Sequence, residues 1–154
     1  SVLGNGLSIA EHHEDALSVK EAQLSMKRRH EDTLLAALNY ADALTSLERF
    51  EEAKALLRRT VPVARRVLGE NHEDTLRLKW IYATALCRDD GATLAELREA
   101  VTTLEAVEQN IQRVFGRAHP LTGGIGGDLR NARATLAARD VELIEEELRA
   151  LGAA

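Results

Sequence analysis

The pentapeptide His30-Glu31-Asp32-Thr33-Leu34 recurs unchanged as His72-Glu73-Asp74-Thr75-Leu76, 42 positions later, and a fainter echo, His119-Pro120-Leu121-Thr122, follows 47 positions beyond that. A period of this length, filled with helix-forming residues, restricts the chain to helix pairs stacked as a solenoid, in which each unit buries its apolar face only against its neighbours. Stacked units of that kind present long surfaces, so the activity to expect is binding.

The repetition extends past the pentapeptide. Tyr40, Ala41, Ala43 and Leu44 recur at the same offset as Tyr82, Ala83, Ala85 and Leu86. The register then slips by five, and Glu52, Ala53, Leu57, Arg66, Val67 and Gly69 match Glu99, Ala100, Leu104, Arg113, Val114 and Gly116 at offset 47. An insertion at Arg88 to Ala92 accounts for the slip. It falls where the first helix of a pair should turn into the second, a place where repeats tolerate extra loop.

With 45% apolar residues the chain carries enough hydrophobic surface for a continuous core. Only 3% of residues are aromatic, which suits close packing of Leu, Ala and Val helices. A net charge of −5 argues against a nucleic-acid or anionic-membrane surface. Cys87 is the one cysteine and has no internal disulfide partner, so a reducing, cytoplasmic setting is the default. No apolar run approaches membrane-spanning length, and the opening residues lack the basic lead and long apolar stretch of a secretory signal. Because the chain starts at Ser1 and residues 1–29 read as the tail of an earlier unit, a piece of a longer array is expected.

Capping and stop signals divide the chain into about seven helices. Ser8-Ile9-Ala10-Glu11 has capping-box spacing, and Leu17 and Leu24 share a face, so about 8–28 forms the first helix. Asp32 or Thr33 can cap a second helix through Leu47, and Phe50 to Leu68 is its partner, closed by Gly69. The next pair runs from Asp74 to Arg88 and from Thr93 to Phe115, with a capping box at Thr93-Leu94-Ala95-Glu96 and a stop at Gly116. Pro120 opens a further helix that meets Gly123, Gly124, Gly126 and Gly127, each costing about 0.8–1 kcal/mol against alanine. Either that turn frays or close packing needs the glycines. Asp128 to Leu151 is again helical and polar enough to cap a stack. The units are therefore 1–29, a truncated second helix; 30–71; 72–118, with the insertion; and 119–154, a degenerate C-terminal cap.

Read in order, His30-Glu31-Asp32-Thr33-Leu34, Asn39-Tyr40-Ala41-Asp42-Ala43-Leu44, Arg49-Phe50-Glu51-Glu52-Ala53-Lys54-Ala55-Leu56-Leu57 and Val67-Leu68-Gly69-Glu70-Asn71-His72 resemble the tetratricopeptide repeats of kinesin light chains and their relatives. The resemblance covers most of residues 30–120. It implies an all-α solenoid of antiparallel helix pairs, wound as a right-handed superhelix around a concave groove that binds peptides or folded partners. In such repeats the first helix of each pair lines the groove, and an asparagine before the Tyr-Ala step holds the ligand backbone. Asn39 stands at that place; Ile81 and Asp128 stand at the corresponding places of the next two units, so the asparagine ladder is incomplete. By helical spacing Leu35 and Asp42, then Arg77 and Thr84, then Asn131 share that face. Trp80, the single tryptophan, is either a partner anchor there or a packing residue between units.

Other residues invite chemistry less. His12 and His13 are adjacent and point to different helix faces, which does not make a metal pair. His30, His72 and His119 recur at unit junctions, where three equivalent environments favour capping or packing over catalysis. The glycine run 123–127 is neither preceded by a strand nor followed by Gly-Lys-Ser/Thr, so it is not a phosphate loop. Cys87 beside Arg88 is either an activated thiol or a buried inert one. The basic run Lys27-Arg28-Arg29 is short and lacks interleaved aromatics, which leaves it as an ordinary complement to a helix dipole. These residues together indicate a scaffold or adaptor with no catalytic residue, no cofactor and no metal, binding a protein or peptide rather than nucleic acid or membrane. The alternative is an assembly subunit that docks through its convex face, or self-associates through an exposed N-terminal helix.

Overall fold

The computed structural model describes residues 2–153, with side-chain surroundings for 8, 9 and 11–153. Five helices follow one another: α1 (Val2–Ser46), α2 (Phe50–Val67), α3 (Glu73–Arg88), α4 (Leu94–Phe115) and α5 (Pro120–Ala153). No strand occurs among the described residues. Each helix packs against the next, and α1 also touches α3 while α3 touches α5, so alternate helices stand side by side along one flank of the stack.

Five helices replace the seven expected, through two mergers. Residues 7–61 contain neither glycine nor proline, and the first pentapeptide is preceded by Lys27-Arg28-Arg29 where the second follows Gly69-Glu70-Asn71. Without the stop signal the helix runs straight through. Thr33 does not cap anything: its hydroxyl donates to the Arg29 carbonyl inside α1 at 2.8 Å. Ser8, likewise, lies within α1 and opens no helix. The unit boundary expected at 29/30 therefore falls inside a helix. At the other end the glycines do not interrupt α5, which runs from Pro120 through Asp128 without a break.

The remaining boundaries follow their local chemistry. Gly69 and Gly116 adopt φ of +100° and +86°, the left-handed region in which glycine is free of the Cβ penalty. Thr93 and Glu96 make the reciprocal capping box at the start of α4. α3 opens one residue earlier than expected because His72 is the cap, its Nδ1 accepting from the Asp74 amide at 3.1 Å. His119 repeats this toward the Leu121 amide at 3.3 Å, whereas His30 lies mid-helix. α1 ends differently, with Glu48 at φ +59°. The Arg49 amide donates to the Leu44 carbonyl and the Glu48 amide to Thr45, which is the paired closure usually completed by glycine. Glu48→Gly should stabilise the chain by about 0.5–1 kcal/mol by relieving that left-handed strain, read as a higher urea midpoint at unchanged slope.

The core consists of the residues that repeat. Ala41 and Ala83, Leu44 and Leu86, Ala53 and Ala100, and Leu57 and Leu104 are all buried. The alanines let backbones approach, and the leucines fill the space between successive helices. Tyr40 and Ala43 are exposed while their counterparts Tyr82 and Ala85 are partly or fully buried, because no further helix covers the outer side of α1. Among the described residues, 8–30 of α1 are all exposed and only 34–45 reach the core.

Candidate functional site

The flank on which α1, α3 and α5 stand side by side holds a cleft of about 360 Å³. α1 contributes Leu38, Asn39, Asp42, Thr45 and Ser46; α3 contributes Arg77, Trp80, Ile81, Thr84 and Arg88; α5 adds Leu121 and Asp128. The i, i+3 and i, i+4 spacings explain the α1 and α3 sets, since residues so spaced recur on one helix face. Polar groups stand on α1, an indole and two guanidinium side chains on α3, and a carboxylate on α5. That combination offers hydrogen-bonding groups of both kinds around an apolar floor, the composition of a recognition site.

Trp80 organises the cleft. Its indole Nε1–H donates to the Asp128 carboxylate at 2.6 Å, which ties α3 to α5. Its ring lies against Gly124, where an added Cβ would come 2.8 Å from the Trp80 Cη2 atom. The glycine run is thus read at one position by packing: α5 comes this close to α3 because Gly124 has no side chain. Gly123, one residue away, faces open space. The two positions should respond oppositely to alanine. Gly123→Ala is expected to stabilise by about 0.5–1 kcal/mol through helix propensity. Gly124→Ala is expected to destabilise by about 1 kcal/mol, because overpacking against a rigid ring outweighs that gain. Paired thermal melts with Trp80 emission as a second signal check both.

The rest of α3 is held by local bonds. The Thr84 hydroxyl donates to the Trp80 carbonyl at 3.0 Å, and the Cys87 thiol to the Thr84 carbonyl at 3.6 Å. Burial pushes the Cys87 thiol above its ordinary value, and the nearby Asp128 carboxylate adds to the rise. A thiol held protonated in this way is a poor nucleophile, which is the inert alternative of the two. The Arg88 guanidinium lies 5.6 Å from the centre of the Phe50 ring, stacked over α2 while also edging the cleft.

Of the residues that the repeat pattern singled out, Asn39, Asp42, Arg77, Trp80, Ile81, Thr84 and Asp128 line this one cleft. Leu35 and Asn131 do not. Leu35 is 47% exposed one turn outside it on α1, and Asn131 is exposed on α5. Trp80 packs against α5 with one face and also lines the cleft. Thr45, Ser46 and Arg88 escaped the pattern, although each lies three or four residues beyond Asp42 or Thr84 and an extension of the same spacing reaches them. Leu121 could not be placed while the course of α5 through its glycines was open.

Residues 32–96 match the family model described as Tetratricopeptide repeat. The match supports a tetratricopeptide-repeat assignment for that segment, which spans α2, α3 and the packed part of α1. Neither curated proteins nor solved structures gave a match to the chain. No helix among the described residues is long and apolar enough to cross a membrane.

Proposed function

We propose that the chain is a non-catalytic tetratricopeptide-repeat module of the kinesin light chain-like kind, which binds a peptide or protein segment in the cleft between α1, α3 and α5. It serves as part of a cytoplasmic scaffold or adaptor. The observation that carries this reading is the convergence of Asn39, Arg77 and Trp80 on one concave wall, from two helices that do not adjoin in sequence. Asn39 supplies an amide that can both donate to and accept from an extended backbone, Arg77 a fixed cation, and Trp80 apolar area of the type that dominates binding hot spots. The roles of Leu35 and Asn131 in this reading are confined to the outer rim.

A displayed peptide library panned on the chain, followed by titration of the enriched peptides, tests it. Trp80 is the single tryptophan, so occupation of the cleft should shift its emission. An Asn39→Ala/Asp42→Ala/Arg77→Ala variant, which leaves the α3–α5 contact of Trp80 intact, should weaken those peptides about tenfold or more while circular dichroism stays unchanged. Peptides that bind the variant as tightly as the parent, without perturbing Trp80, would sink the reading.

A further inference from the structure

Two long helical segments reach beyond the packed stack, at opposite ends of the chain. In α1 residues 8, 9 and 11–30 are exposed, and in α5 those from 141 to 153 are exposed all round. Among the described residues α1 and α5 do not touch each other. A lone helix of this length is marginal in water, because most helical stability comes from packing an apolar face.

The α5 segment has such a face. Val141, Ile144, Leu148 and Leu151 follow spacings of three, four and three, the seam of a two-helix coil, and are 54%, 56%, 62% and 75% exposed. Asp140, Glu145 and Glu147 occupy the positions that flank this seam. On α1, Ile9, Ala16, Val19 and Met26 fall on a seam of the same period, with His12 and Gln23 at its remaining positions, and all six are exposed. The flanking positions there carry Lys20, Lys27 and Arg29 against one acid, Asp15. One segment is therefore an apolar stripe edged by acids and the other a mostly apolar stripe edged by three bases and one acid. Pairing α5 with its own copy would set Asp140 and Glu147 near a second set of carboxylates, which is unfavourable.

We infer that the N-terminal segment of α1 in one copy packs along the C-terminal segment of α5 in the next, so that the chain associates head to tail. Each copy carries one surface of each kind, on helices that lie apart. The contact is thus heterologous and propagates from copy to copy instead of ending at a two-fold dimer. Basic flanks on α1 set beside acidic flanks on α5 make the association sensitive to salt.

Sedimentation velocity of the 154-residue chain across a concentration series tests this. Species beyond a dimer should grow with concentration and recede on addition of sodium chloride. A Lys20→Glu/Lys27→Glu/Arg29→Glu variant has acidic flanks on both segments, and an Asp140→Lys/Glu145→Lys/Glu147→Lys variant has basic flanks on both. Each alone should associate about tenfold or more weakly than the parent, since attractive flank pairs become repulsive. Mixed in equal amounts, they should associate again, because each now meets its complement in the other. Circular dichroism on each variant confirms the helical content beforehand. A parent that stays monomeric throughout, a variant that associates as well as the parent, or a mixture that stays monomeric would each overturn the inference.

Discussion

Lys54→Met should cost the fold about 3 kcal/mol, the lower part of the range for stripping one partner from a buried ion pair. Lys54 is 2% exposed, with its Nζ 2.6 Å from Glu51, 3.2 Å from Asp89 and 3.1 Å from Glu96. Asp89 and Glu96 are themselves only 22% and 20% exposed, so they have little water to replace the lost cation. Glu51 is 80% exposed and contributes little. Burial alone would drag the ammonium below the ordinary lysine value, but the three carboxylates more than offset it and hold it above. Asp89 is lowered first by the Gly91 amide and then by Lys54, and Glu96 first by the Thr93 amide and then by Lys54. The packing volume of methionine is close to that of lysine, which isolates the charge.

The pH dependence has a defined direction. A carboxyl whose folded pKa is lowered contributes stability that is complete above its unfolded value of about 4 and is lost as pH falls through the folded one. Lys54, with its pKa raised, contributes below the unfolded value of about 10.4 and loses this only as pH rises through the folded one. Urea denaturation should therefore show the full gap between Lys54→Met and the parent from pH 5 to 9. Below pH 4 the gap should close, because protonated Asp89 and Glu96 no longer need the cation. Adding Asp89→Asn and Glu96→Gln to Lys54→Met should recover most of the loss at neutral pH, since uncharged amides keep the turn and cap acceptors without a buried charge. A gap that persists unchanged at pH 3 would show that Lys54 acts by packing.

Lys54 also marks a limit of what the sequence discloses. Its helix and the burial of Ala53 and Leu57 follow from repeat spacing and the capping role of Glu96 from capping-box spacing, yet the burial of Lys54 itself does not. The ion cluster joins α2 to Asp89 in the insertion, a residue for which the preceding unit has no counterpart. Repetition predicts what two units share, and this contact belongs to one of them. The stops at Gly69 and Gly116 and the box at Thr93 were legible because each depends on residues within one turn. The continuity of α1 past Asp32 was not, because the pentapeptide marks a junction only where a stop such as Gly69-Glu70-Asn71 stands in front of it. In the cleft, the α1 and α3 walls were legible from helical spacing. On α5, Asp128 was legible by the offset that matches it to Ile81, whereas Leu121 was not, because it reaches the cleft only through the approach that Gly124 permits.

Leu104→Ala is expected to lower stability by about 3–5 kcal/mol, in the upper part of the range for deleting a buried leucine. Leu104 is fully buried on α4, in a cluster with Ala83, Leu86, Ala100, Leu129 and Ala132 drawn from α3, α4 and α5. The cost of such a change depends on how far the surroundings can collapse into the space left behind. Three of the five other buried members of this cluster are alanines, which have no side chain to swing inward, and Leu129 is fixed by the same α5 helix that Gly124 holds against Trp80. The cavity should therefore persist. In a stack whose units touch only their neighbours, damage at the α3–α4–α5 junction also uncouples the ends. The urea transition of Leu104→Ala should shift down and separate, with Trp80 emission changing before the loss of helical signal from α1 and α2. Leu151→Ala, at a side chain 75% exposed, should fall within about 0.5 kcal/mol of the parent. A single coincident transition for Leu104→Ala would mean that the five helices unfold as one unit, with the inter-unit contacts stronger than the units they join.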